Sequence, residues 1–211
     1  MGSVPAQIYH RHDRALERRK HRRLPQTRIN LTQRPASSFG YRTMNLVPCM
    51  GCGGLFPKIE GPTHRYMESS PGCWAAYGEV LAREYNNPSA YAQTQRLGVD
   101  AYAVQHPGQP SAQSIQSVAV HLIRLCLLLE CGLEMSRANE AMLRATEQKK
   151  DLVWLPPPPM RGAITVADVH QTMNPAEHAM RSRQWAESAW EAWTPHHSQI
   201  RQWLPAGFDS R

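Results

Sequence analysis

A chain of 211 residues with a net charge of +7 and five cysteines has room for one good-sized domain and at most an appendage. The excess charge is confined: residues 1–43 hold ten Lys and Arg against Asp13 and Glu17, and the remainder is close to neutral. Composition therefore excludes a body built as a nucleic-acid surface, and the odd cysteine count excludes a fully paired disulfide framework and favours a reducing, cytoplasmic setting.

Residues 1–43 are rich in Arg, His, Gln and Pro without a sustained apolar period, which predicts a disordered basic tail. Three readings of it stand: an arm for nucleic acid, a plain solvated tail, or an upstream extension with Met44 as the true start. It has no apolar core of a signal peptide. Glycines and prolines over 45–70 exclude helix there. Ser70-Pro71 then reads as N-cap and first helical residue of a helix to about residue 85. Asn87-Pro88 starts a second helix, to about 105, which His106-Pro107-Gly108 stops. Ser111 opens the longest helix, ended by Gly132. Its apolar run over 118–129, interrupted by His121 and Arg124, is too short to span a bilayer and marks a central buried helix. Ser136 is expected to cap a fourth helix, to about 150. Four consecutive prolines, 156–159, predict a stiff extended strap. A short helix over 165–171, a long amphipathic one from Asn174-Pro175 to about 193, and a last short one after Pro195 complete the pattern. No convincing strand is seen.

The chemistry concentrates at Cys49-Met50-Gly51-Cys52. Two cysteines two residues apart, with Gly53 free to take positive φ, make one half of a tetrahedral clamp. His64 and Cys73 follow, so Cys49, Cys52, His64 and Cys73 are the expected ligands of a structural Zn²⁺. A redox dithiol does not fit, because Gly-Gly-Leu-Phe-Pro rather than a helix follows Cys52. The remaining chemistry-bearing residues are Asp100, His106, His121, His178 and His197. If several converge in the bundle core, they form a second divalent metal site with an open coordination place and become the catalytic candidates. No phosphate loop and no nucleophile elbow occur.

The strings Cys49-x-x-Cys52-Gly53, Gly61-Pro62-Thr63-His64-Arg65-Tyr66-Met67, Ser69-Ser70-Pro71-Gly72-Cys73-Trp74 and Val99-Asp100-Ala101-Tyr102-Ala103-Val104-Gln105-His106-Pro107-Gly108, with the 185–197 segment, carry a resemblance. The chain resembles an uncharacterised bacterial family, a domain of unknown function. The resemblance implies that the Asp100–His106 string and the His196-His197 end matter beside the cysteines. At the level of fold alone, the chain is similar to DinB/YfiT-type helical bundles, which hold a divalent metal with histidines from separate helices.

The expected fold class is mainly α: a bundle of five or six helices with an N-terminal zinc-knuckle segment and the basic tail. Residues 44–211 make a single zinc-stapled domain, with the knuckle over 45–73 and the bundle over 71–204. Two functions fit: a metal-dependent hydrolase or transferase acting on a small molecule, or a non-catalytic knuckle module that binds nucleic acid or a protein partner. Nucleic acid is a partner only if residues 1–43 are functional, and no membrane partner is expected.

Overall fold

The computed structural model of the chain describes residues 45–92 and 94–205; the basic segment 1–43 lies outside them. The first feature is one the sequence pattern did not show, an antiparallel hairpin of β1 (Leu46–Pro48) and β2 (Leu55–Pro57), with Val47 opposite Phe56. Three-residue strands that each end in proline are too short to show an alternation. Phe56 faces inward, whereas Leu46 and Leu55 face out. The Cys49-x-x-Cys52 motif forms the hairpin turn. The turn closes through Cys49 N–H to the Gly54 carbonyl (2.8 Å) and Gly53 N–H to the Cys49 carbonyl (2.9 Å), with Gly53 at φ +74°.

Helix α1 (Pro71–Asn86) starts where Ser70 accepts the Cys73 amide at 3.3 Å. Gly72 in its first turn lets the hairpin approach: a methyl group there would sit 2.3 Å from the Pro57 carbonyl oxygen. The expected second helix is in fact two, α2 (Pro88–Tyr91) and α3 (Gln95–Gln105). The Thr94 amide and hydroxyl both bond the Tyr91 carbonyl, which ends α2 early. Helix α4 (Ala112–Leu125), capped by Ser111, runs on as a π-helical turn, Cys126–Glu130, and Gly132 at φ +63° ends it. Helix α5 (Met135–Ala145) begins at Glu134, so Ser136 lies inside it and is not its cap. It tightens into a 3₁₀ segment, Thr146–Asp151. Helix α6 (Val166–His170) carries a reciprocal cap between Thr165 and Asp168. Asn174 caps α7 (Pro175–Ala192), and a 3₁₀ turn, Thr194–His196, leads to α8 (His197–Gln202).

The fold is mainly α, as expected, with eight α-helices among the described residues. Helix α3 packs against both α4 and α7, α1 against α6 and β2, and α5 and α8 against α4. The stretch Ala112–Glu130 is long and apolar enough to cross a membrane by length and composition, more than its inner apolar run suggested. Here Val118, Leu122, Ile123, Leu125 and Leu127 are core residues. Trp185 and Trp193 are wholly buried, and both indole N–H groups bond the C-terminal end of α3: Trp185 to the Gln105 side-chain oxygen (2.8 Å) and Trp193 to the Val104 carbonyl (3.3 Å). Between the 3₁₀ segment and α6, Leu152, Leu155 and Pro158 are buried, whereas Val153, Pro156 and Pro159 are exposed. That three-residue period is what a polyproline helix lying on a surface produces.

Arg83 joins α1 to the end of α6. Its guanidinium donates to the carbonyls of His170 (2.8 Å) and Thr172 (3.1 Å) and to the Thr172 hydroxyl (3.1 Å), carbonyls the end of a short helix leaves open. Arg83→Met should lower unfolding stability by about 1–3 kcal/mol, the range for losing bonds to a charged donor. Urea titration of the two proteins checks this, and coincident midpoints would refute it.

Candidate metal centre

Three elements bring the donors together. The hairpin turn supplies Cys49 and Cys52, the first turn of α1 supplies Cys73, and the end of α3 supplies His106. All four are buried, and their ligand atoms lie within 4.8 Å of one another. Cys52 Sγ and Cys73 Sγ are 3.9 Å apart, and His106 Nε2 is 3.5 Å from the sulfurs of both Cys49 and Cys73. A tetrahedral Zn²⁺ with bonds of about 2.3 Å to sulfur and about 2.05 Å to nitrogen sets sulfurs about 3.8 Å apart and sulfur to nitrogen about 3.5 Å apart. The donor set therefore matches one ion held by four protein groups.

Local chemistry aims each donor. At the end of α3, the His106 amide bonds the Ala103 carbonyl (3.2 Å), which leaves the Tyr102 carbonyl open. His106 Nδ1–H fills it at 2.7 Å. That bond fixes the tautomer and turns the Nε2 lone pair toward the sulfurs. Gly51 permits the approach, since a methyl group there would lie 2.2 Å from the His106 ring. The Ser70 amide donates to Cys49 Sγ (3.3 Å), and the Tyr102 hydroxyl lies 3.7 Å from Cys73 Sγ. Arg161, from the strap, donates to the Gly51 carbonyl at 2.8 Å.

The thiols titrate as a set. Hydrogen bonds from Cys52 and Cys73 hold the Cys49 sulfur well below the ordinary thiol range. The bond to Cys49 pushes Cys52 up to about 12, and Cys73 higher still. Metal uptake by this set accordingly releases protons and weakens in acid.

His64 is the correction to the expected set. It lies outside the four-donor cluster, half-buried, with Nδ1 facing the Tyr66 amide at 3.5 Å and its ring edge-on to Tyr66 and Trp74. The place beside the sulfurs goes to His106, from the end of α3. The signal for His106 was its position at a helix stop, where a ring can bond the open carbonyl four residues back.

The other candidates do not converge. Among the described residues, the Cys49, Cys52, Cys73 and His106 group is the one cluster of three or more His, Cys, Asp or Glu able to hold a metal. Asp100 does not pair with His106. It is wholly buried and takes Arg124 Nε on Oδ2 (2.7 Å) and His121 Nδ1 on Oδ1 (2.7 Å). His178 is buried between Glu84 (2.8 Å) and the Thr172 hydroxyl (3.3 Å). His197 stacks on Trp190 at 3.8 Å, bonds its carbonyl (3.0 Å) and faces Glu130 (3.4 Å). Each has its own partner, which is how a structural histidine is satisfied.

Fold and donors together define a helical bundle with a buried cluster of three cysteines and a histidine suited to a metal ion. The chain belongs to DUF5946, a family of unknown function, which it matches over residues 47–194. No curated protein and no solved structure matches it.

Burial works to raise the Asp100 carboxyl, but Arg124 and the His121 hydrogen bond more than reverse this and hold it below the usual carboxylate range. Burial holds His121 below its ordinary value, and its Nδ1–H donates to the Asp100 carboxylate. A carboxyl lowered on folding stabilises above its unfolded value of about 3.9, and that stability is lost as pH falls toward the folded one. Asp100→Asn, which takes the carboxylate charge away from the buried Arg124 guanidinium, should cost about 3–5 kcal/mol at pH 7 and flatten the loss of stability below about pH 4. Denaturant titrations across pH at equal metal content test both parts.

Proposed function

We propose that Cys49, Cys52, Cys73 and His106 hold one Zn²⁺ as a closed structural site, and that the chain is a zinc-stapled binding module of a reducing, cytoplasmic setting rather than a hydrolase or transferase. The spacing of the four donor atoms carries this reading. Thiolate and imidazole donors suit zinc, and four protein ligands leave no place for water or substrate, which a catalytic zinc needs. The separate partners of Asp100, His121, His178 and His197 speak against a second, open metal site. The near-neutral sequence beyond residue 43 favours a protein partner, and contact with nucleic acid would rest on residues 1–43.

Elemental analysis of the purified chain is the test. One equivalent of zinc per chain is expected, retained by His64→Ala and lost from His106→Ala and Cys73→Ser. Because the ion closes the fold, a strong chelator should also lower the melting temperature sharply. A chain without metal, or one in which His64→Ala loses it and His106→Ala does not, would overturn the assignment. Two equivalents, one of them lost on His121→Ala or His178→Ala, would move the reading to an enzyme.

A further inference from the structure

Each of the three sulfurs faces one N–H or O–H group outside the donor set. Cys49 has the Ser70 amide and Cys52 the Gly54 amide, both supplied by backbone, whereas Cys73 has the hydroxyl of Tyr102, which is the donor once Cys73 is a thiolate. Any sequence that folds this knuckle supplies the first two; the third depends on a side chain. Tyr102 is wholly buried, its ring stacked between Tyr77 (3.8 Å, 9° between planes) and His106 (4.0 Å, 28°). Its carbonyl accepts His106 Nδ1–H at 2.7 Å. One residue thus meets two of the four donors, through its carbonyl at one and its hydroxyl at the other.

We infer that Tyr102 is the positioning residue of the metal centre, and that its hydroxyl, donating to Cys73 Sγ, makes the centre inert. The inference rests on the zinc reading above. A metal-bound thiolate is a nucleophile in proportion to the electron density on sulfur, and a donated hydrogen bond withdraws some of it. Cys73 is the sulfur at which this matters most, since its donor is the one a substitution can remove while leaving the backbone intact. With all three sulfurs hydrogen-bonded, the centre is a staple and not an acceptor of alkyl groups or other soft electrophiles. The carbonyl contact does the complementary work on His106, holding the ring in the tautomer that presents Nε2.

Tyr102→Phe separates these roles, because it keeps the ring stack and the carbonyl and removes only the O–H. In the chain loaded with Co²⁺, the sulfur-to-metal charge-transfer band should move to lower energy while the tetrahedral d–d bands keep their intensity. In the zinc form, metal release driven by N-ethylmaleimide should quicken, and zinc affinity should fall about tenfold, the low end for loss of an outer partner. Tyr77→Phe removes a phenol hydroxyl from the neighbouring ring of the same stack and should change none of these. Equal effects from Tyr77→Phe and Tyr102→Phe, or an unmoved band in Tyr102→Phe, would overturn the inference and leave the zinc site standing. A wild-type chain that takes up neither Co²⁺ nor Zn²⁺ overturns both. Should Tyr102→Phe not fold, the wild-type chain loaded with ¹¹³Cd²⁺ decides: a scalar coupling from the Tyr102 hydroxyl proton to the metal supports the bond, and its absence refutes it.

Discussion

The C-terminal end of α3 is the constraint on which the rest of the structure depends. Gln105 and His106 are adjacent and wholly buried, and between them they reach four parts of the chain. The Gln105 amide donates to the carbonyls of Arg161 (2.7 Å) and Ile164 (2.9 Å), and its oxygen accepts from Trp185. His106 faces the sulfurs of the hairpin and of α1. Strap, tryptophan helix, hairpin and first helix are therefore registered against one helix terminus. Pro107 and Gly108 then turn the chain away; Gly108, at φ +71°, passes so close to the Tyr66 carbonyl that a methyl group would sit 1.9 Å from it. A polar pair in the core is costly unless each atom is bonded. Here the bonds lead in different directions, so they specify an arrangement as well as satisfying the atoms.

The same economy governs the other buried polar pairs. Asp100 with Arg124 ties α3 to α4, and Glu84 with His178 ties α1 to α7. Such pairs add little net stability over well-packed apolar groups, because desolvation offsets attraction. Their effect is on alternatives: a helix rotated by one position would leave a polar group buried without its partner. In a bundle whose central helix α4 is apolar over much of its surface, and so poorly specified by hydrophobic contact alone, these pairs fix rotation and register.

What was legible in the sequence was local. Ser70-Pro71, Ser111, Asn174-Pro175 and Gly132 each mark a helix end through groups a few residues apart, and those ends stand where expected. The three cysteines were legible for the same reason, since a turn of four residues and the first turn of a helix are short-range objects. The choice between His64 and His106 was not. It depends on how the segment before α1 passes the sulfurs and on where α3 ends relative to α1, which sequence spacing does not encode. Whether several of Asp100, His106, His121, His178 and His197 converge depends in the same way on long-range placement. The carboxylate that satisfies His178 is Glu84, 94 residues away, and no local pattern joins them. The hairpin was missed because two strands of three residues carry too little periodicity to register.

Arg161 sets a cation beside the cysteine and histidine cluster. A divalent ion held there by three thiolates and a neutral imidazole would leave one surplus negative charge in a buried place. Burial works to lower the pKa of the Arg161 guanidinium, while Glu68, Cys49 and Cys52 favour its charged form, and its reach to the Gly51 carbonyl sets it beside the turn that holds two of the sulfurs. Cation and cluster are then complementary tenants of the same low-dielectric space. The proline strap, which brings Arg161 there, is thereby part of the electrostatics of a cluster to which it supplies no donor.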